Sequence, residues 1–177
     1  MMGGNNIGTC DGNALMKALS NTVFRISEAE SLLDITQVRE LFAEYAKSIG
    51  FSLCFQDFDR ELAGLPGDYG PPKGRLLLAR YGAESAGCIA LHGLEPGICE
   101  MKRLYVCPQF RGRALGHELA EAAIADAKSI GYKKMRLDTV EPKMKNAVAL
   151  YRALGFHEIA PYRLNPIEGA MYMELEL

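Results

Sequence analysis

Residues 104–116 (LYVCPQFRGRALG) constrain this chain more than any other stretch, because a hydrophobic strand there runs through a basic, glycine-containing loop straight into an amphipathic helix. The first N–H groups of a helix have no partner within it and lie at the positive end of its dipole, so such a junction holds an anion with the main chain itself. Arg111 and Arg113 add side-chain charge. The strand before the loop reads from Ile98 to Val106, and the helix after it places Leu115, Leu119, Ala122, Ala123 and Ile130 on one face. No G-x-x-x-x-G-K-[ST] run occurs, and Gly112 and Gly116 do not make the G-x-G-x-x-G spacing of a dinucleotide fold, which sets nucleotide hydrolysis aside.

The rest of the chain punctuates cleanly. Residues 1–20, rich in Gly and Asn with a short helical hint at Ala14 to Leu19, read as a loose N-terminal extension, and residues 21–177 as a single domain. A strand at Val23 to Ile26 opens the domain. Ile35, Val38, Phe42, Tyr45 and Ile49 then recur at helical spacing up to Gly50, and Phe58, Leu62 and Leu65 suggest a shorter helix. After the turn-dense residues 65–74, Arg75 to Tyr81 and Gly87 to His92 read as a hairpin. The second half alternates: strand to Val106, helix from Leu115 to Ile130, strand at Met135 to Thr139, helix around Ala147 to Leu154, then strands at His157 to Ala160 and Ala170 to Leu177. A strand, a crossover helix and a second strand make a βαβ unit, so the strands ending at Val106 and Thr139 are expected to pair in parallel. The last strand fits an inner or edge position, and its alternation also allows pairing with a second copy in a homodimer.

Composition removes several function classes. The 177 residues are 49% hydrophobic and 24% charged, as in an ordinary globular domain. A formal charge of −2, with arginines in local clusters, argues against a nucleic-acid partner. No apolar run approaches the roughly 20 residues that span a bilayer, and the start lacks a charged segment followed by a long apolar one, so a cytoplasmic protein without membrane attachment is expected. Five cysteines (Cys10, Cys54, Cys88, Cys99, Cys107) form no C-x-x-C pair and read as free thiols. His92, His117 and His157 lie in separate segments without metal-ligand spacing, so each reads as a satisfied or surface histidine and no metal is expected.

The spacing Gln109-x-x-Gly112-x-Ala114 resembles the acyl-CoA pyrophosphate loop of the GNAT N-acetyltransferase superfamily, and residues 146–156 (NAVALYRALGF) resemble its second signature, in which an Asn faces the cofactor and a Tyr lies near its sulfur. The resemblance spans Thr22 to Leu177. It implies an α/β (α+β) GNAT fold with about four helices and a mixed central sheet of about six to seven strands, splayed between two parallel ones. It also implies acetyl-CoA as cosubstrate, held by Leu104, Tyr105, Val106, Gln109, Arg111, Gly112, Arg113, Ala114, Leu115, Gly116, Asn146 and Tyr151. The main chain of Leu104 and Val106 would pair with the pantetheine arm, whose amides satisfy the open groups of a splayed strand.

The implied reaction moves an acetyl group from acetyl-CoA to a primary amine by direct transfer in a ternary complex. Deprotonating a lysine-like amine of pKa about 10.4 at pH 7 costs roughly 4.6 kcal/mol, whereas an α-amine near pKa 8 costs only about 1.4 kcal/mol, so a base matters more for the first. Glu100 resembles the general-base glutamate of the histone-acetyltransferase branch, and even spacing would place Glu100, Lys102, Leu104 and Val106 on one strand face. Glu100 could equally be an ion-pair residue. Tyr151 is the candidate general acid for the leaving thiolate, or a core aromatic. Val106 N–H is implied as an oxyanion donor. An acyl-cysteine route through Cys107 lacks a basic partner.

The acceptor is expected between the early helices and the following strands, where Gln56, Asp57, Asp59, Glu61 and Asp68 favour a small cationic amine or an amino acid. A protein N-terminus or lysine as acceptor, and an acyl-CoA sensor without turnover, remain as alternatives.

Overall fold

The computed structural model describes residues 23–50, 52–53 and 57–177. The extension at 1–20, with Cys10, and the positions of Cys54 and Gln56 lie outside the described residues. The element order is β1 (Phe24–Glu28), α1 (Leu32–Ser48), α2 (Phe58–Ala63), β2 (Arg75–Tyr81), β3 (Glu84–Glu95), β4 (Ile98–Val106), α3 (Leu115–Ile130), β5 (Lys134–Val140), α4 (Lys145–Ala153), β6 (His157–Ile159) and β7 (Ala170–Glu176). The seven strands form one sheet in the order β1-β2-β3-β4-β5-β7-β6, in which β4 and β5 are parallel and the other described pairs antiparallel. β7 is therefore an inner strand, paired along its length with β5 and at Tyr172–Glu174 with the short β6.

Local chemistry sets the boundaries. Ser31 and Asp34 form a reciprocal capping box at the start of α1, with each side chain accepting from the other's N–H at 3.1 and 3.0 Å. Asp34 then grips Arg80 of β2, which ties the helix start to the sheet. Ile35, Val38, Leu41 and Phe42 enter the core, each burial worth roughly 1.5–3 kcal/mol for residues of this size. In α3, Leu115, Leu119, Ala120, Ala123 and Ala127 are buried, while Ala122 and Ile130 pack at the margin of the core.

The two faces of the sheet are covered by different helices. A Cβ on Gly87 would lie 3.2 Å from Leu119 of α3, so that face carries the crossover helix. Cys88 points the other way, and its ladder partner Tyr105 meets Tyr45 and Glu44 of α1. Counted from that register, even spacing fails in β4: a β-bulge inserts Arg103, at φ +58°, between Lys102 and Tyr105. Glu100 and Lys102 consequently share a face with Tyr105, not with Leu104 and Val106. The expectation of one continuous even-numbered face is overturned by that extra residue.

Candidate active site

β4 and β5 are bonded only at Ile98–Lys134, Cys99–Met135 and Glu100–Arg136, and beyond Glu100 they part. The fork this opens is the organising feature of the site. A groove of about 560 Å³ runs from the fork to the start of α3, lined by Leu104, Tyr105 and Val106 on one side and by Arg111, Gly112, Ala114, Leu115 and Gly116 at its end. Asn146 of α4 completes the wall. A second cavity of about 40 Å³ fills the fork and shares Tyr45, Leu104 and Met144 with the groove. A third, of about 530 Å³, lies among α2, the 3-10 turn Gly67–Tyr69 and β3, and shares Lys102 with the fork cavity.

The loop at the groove's end is built for an anion. Gly112 (φ +76°) and Ala114 (φ +61°) both adopt left-handed backbone, which turns successive N–H groups toward a common centre. Among the described residues, the N–H groups of residues 112–116 donate to no protein acceptor, and the first helical bonds are those of His117 and Glu118 to the Ala114 carbonyl, at 2.9 and 3.1 Å. Sixteen residues of α3 align their dipole behind them. Arg111 lies over the Tyr105 ring and donates from Nε to the Val106 carbonyl at 3.0 Å. Arg113 instead stacks on Tyr81 and Phe110, 5.5 and 5.9 Å from their centroids, and neither it nor the exposed Gln109 lines the groove. Lys143, His117 and Tyr45 line it without having been singled out for that role; a lone lysine in a turn gives no sequence signal.

Tyr151 sits in the fork cavity rather than the groove, only 6% exposed and packed on Phe156. Burial, then the neighbouring Tyr45 and Asp138, push its hydroxyl above the ordinary tyrosine range. Among the described residues that hydroxyl has no hydrogen-bond partner. The fork cavity around that oxygen is also lined by Lys102, Asp138 and Asn165.

Glu100, the last paired residue before the fork, is wholly buried. Its carboxylate accepts from Tyr162 Oη at 2.7 Å, from the Arg163 guanidinium at 3.0 Å and from His92 Nε2 at 3.0 Å. Burial alone would raise its pKa, but the His92 hydrogen bond, the Lys102 and Arg163 charges and the Tyr162 hydroxyl outweigh it and hold the group at about 2. A carboxylate so filled is a strong anion and a weak base. The group that joins it to the α2-side cavity is His92, whose ring lies edge-on to Tyr69. An ionised carboxylate can only accept, so Nε2 carries the hydrogen, and in the neutral ring Nδ1 then carries the lone pair. Nδ1 has no protein partner among the described residues and is not a sealed buried atom. Reading the three histidines for metal-ligand spacing missed this pairing, because residues 92 and 100 meet only through strand register.

Of the acidic set, Glu61 is spent on structure. Glu61 takes the Arg103 guanidinium with both oxygens (2.8 and 2.5 Å) and the Tyr69 hydroxyl at 2.7 Å. Asp57, Glu61 and Asp68 line the α2-side cavity; Asp59 does not. Cys88, Cys99 and Cys107 are free, buried thiols, and burial, reinforced by Glu44, pushes Cys107 up, so a thiolate beside the groove is disfavoured.

Residues 35–156 match the model of the acetyltransferase (GNAT) family. An N-acetyltransferase of Schizosaccharomyces pombe is 42% identical over 154 residues, covering 86% of this chain and 94% of that protein. The chain belongs to the GNAT family. It is an acyltransferase, and GNAT members act on an acceptor substrate with acetyl-CoA. A second GNAT relative, the N-acetyltransferase YjgM of Escherichia coli, is 32% identical, covering 69% of this chain and 73% of that one. Solved structures share the GNAT fold at lower identity. An acetyltransferase of Streptococcus agalactiae superposes with a TM-score of 0.73 at 22% identity, covering 87% and 98% of the two chains. The paia N-acetyltransferase of Thermoplasma acidophilum, solved in complex with coenzyme A, gives 0.68 at 18%, covering 88% and 99%. Among the described residues no helix is long and apolar enough to cross a membrane, and no group of three or more His, Cys, Asp or Glu is placed to hold a metal ion.

Proposed function

We propose that this chain transfers an acetyl group from acetyl-CoA directly to a primary amine, with the cofactor in the groove and the acceptor entering from the α2 side of the fork. The observation that carries the reading is the run of unpartnered N–H groups at residues 112–116, at the end of a groove that leads into the fork where the Tyr151 hydroxyl stands free. The pyrophosphate binds that loop, with Arg111 beside it. The pantetheine arm lies along Leu104 and Val106 past Asn146, and its arrival takes over the Val106 carbonyl, freeing the Arg111 guanidinium for phosphate.

The proton path uses the residues around the fork. Nδ1 of His92 takes a proton from the acceptor ammonium, while Glu100 fixes the ring and stabilises the imidazolium that results. The free amine attacks the thioester carbonyl and a C–N bond forms. As the tetrahedral intermediate collapses, the C–S bond breaks and Tyr151 protonates the leaving sulfur, recovering its proton from the nitrogen. The proton on His92 passes to solvent.

The test is CoA release from acetyl-CoA against polyamines, amino acids, aminoglycosides and lysine or N-terminal peptides, with a no-acceptor blank and His92→Gln and Glu100→Gln alongside. Acceptor-dependent release that both substitutions depress supports the reading. Acetyl-CoA binding by calorimetry without release for any acceptor would overturn it in favour of a sensor.

A further inference from the structure

Lys102 stands where the acceptor-side cavity and the fork cavity meet, since it lines both. Its side chain is only 10% exposed. Yet its ammonium makes no hydrogen bond among the described residues: the nearest acid is Glu100 Oε2 at 3.9 Å, beyond hydrogen-bond reach. That oxygen already accepts from His92 and Arg163. The other charges nearby are matched with one another. Arg103 is held by both oxygens of Glu61, and Arg163 bridges Glu100 and Asp138. Three ammonium donors are therefore left facing the space between the acceptor's entrance and the thioester.

A largely buried ammonium without hydrogen bonds is costly unless something completes it. Burial lowers the pKa of Lys102, and the positive neighbour Arg103 lowers it further, with Glu100 offsetting only part. An incoming anion relieves both effects. The same cavity offers little to a second cation. Glu61 has both oxygens engaged, Asp57 sits 3.7 Å from Arg60 with 71% of its side chain exposed, and Asp68 is exposed. Asp57 and Asp68 line the cavity as exposed carboxylates, where water and salt screen their hold on a second cation.

We propose that Lys102 binds a carboxylate carried by the acceptor next to its reactive amine, so that the acceptor class is a free amino acid. This rests on the reading of the α2-side cavity as the acceptor site. The carboxylate takes the Lys102 ammonium, which leaves the amine directed between His92 and the fork. Tyr69 and the aliphatic parts of Pro66 and Arg60 line the room left for the acceptor's side chain.

The experiment compares each amino acid with its α-amide and with the amine formed by its decarboxylation, measuring kcat/KM for the wild type, Lys102→Met and Lys102→Arg. The amide is the stringent control, because it keeps the shape and removes the anion, while its less basic amine favours the amide at neutral pH and so works against the expected preference. The wild type is expected to favour the carboxylate form by roughly 10- to 100-fold, the range of one charge-assisted hydrogen bond. Lys102→Met should lose that preference mainly through KM, and Lys102→Arg should keep part of it. Amides used as well as acids by the wild type, or an undiminished acid preference in Lys102→Met, would overturn the proposal. Calorimetry of the CoA-loaded protein with N-acetyl amino acids and N-acetyl amines gives a readout independent of turnover. Lys102-dependent binding of the acids without turnover of any amine would sustain the carboxylate site while removing the transferase reading. Turnover indifferent to the carboxylate would do the reverse. No binding of any N-acetyl amino acid and no turnover would remove both.

Discussion

Tyr151 and Glu100 show how burial leaves one residue without a hydrogen-bond partner and surrounds another with donors. The Tyr151 hydroxyl is held above the ordinary tyrosine range by burial and has no protein partner among the described residues; on the proposed reading it gives its proton to the thiolate that forms beside it. Removing that oxygen breaks no hydrogen bond. Tyr151→Phe is expected to unfold at the wild-type temperature and bind acetyl-CoA with unchanged affinity, while kcat falls by about 100-fold, the low end for a general acid. Steady-state kinetics with calorimetry on the same preparation checks both halves. Glu100 has the opposite balance, with a folded-state pKa of about 2 against an ordinary 4.5. A depressed carboxyl stabilises the fold at every pH above its unfolded value and loses that contribution as pH falls from about 4.5 toward 2. The shift corresponds to roughly 3 kcal/mol at neutral pH. Glu100→Gln should be destabilised by that order at pH 7, with the gap to wild type closing below pH 4. Urea titrations from pH 3 to 7 decide it; a gap that does not change with pH would mean the carboxylate's charge is not what stabilises the cluster.

The loop between β4 and α3 is the element on which the cofactor reading turns, and its two arginines do different work. Arg111 borders the groove and is tied to the Val106 carbonyl, whereas Arg113 lies on Tyr81 and Phe110 outside it. Arg111→Ala is accordingly expected to weaken acetyl-CoA binding by about 10-fold, consistent with one charge-assisted hydrogen bond, and Arg113→Ala by less than threefold. Calorimetric titration of the two single variants separates them; equal losses would place the phosphates nearer Tyr81. The loop was legible in the sequence because its function depends on main-chain geometry at fixed spacing, which Gly112 and Ala114 advertise. The order of strands and helices was legible for a similar reason, since periodicity reports burial directly. What escaped was set by register and by one inserted residue. Nothing in the run from Glu100 to Val106 marks Arg103 as a bulge. Its cause is tertiary, a guanidinium buried to 5% exposure and clasped by Glu61 from α2. The bulge swaps the faces of β4, which leaves Lys102 lining the α2-side cavity and Tyr105 against α1. The pairing of His92 with Glu100 was hidden in the same way, by a cross-strand register that two separated residues cannot reveal.

At the scale of the whole molecule, the sheet is a split frame, with the groove and the α2-side cavity both adjoining the fork cavity. The groove draws on β4, α3, α4 and the end of α1, and the α2-side cavity on α2, the Gly67–Tyr69 turn and β3. The residues that line the three cavities all fall between Tyr45 and Asn165. The first sheet residue is Phe24, and the buried core begins at Ala29. A chain lacking residues 1–20 is therefore expected to melt at the temperature of the full chain and to bind acetyl-CoA as tightly. Ligand linkage provides a sensitive check, because acetyl-CoA at 100 times its Kd adds about 2.7 kcal/mol to the folded state. For a protein of this size that raises Tm by roughly 5 to 11 °C. An equal rise in both chains would confine the binding site to the domain, whereas a smaller rise in the shortened chain would mean that the first twenty residues take part in holding the cofactor.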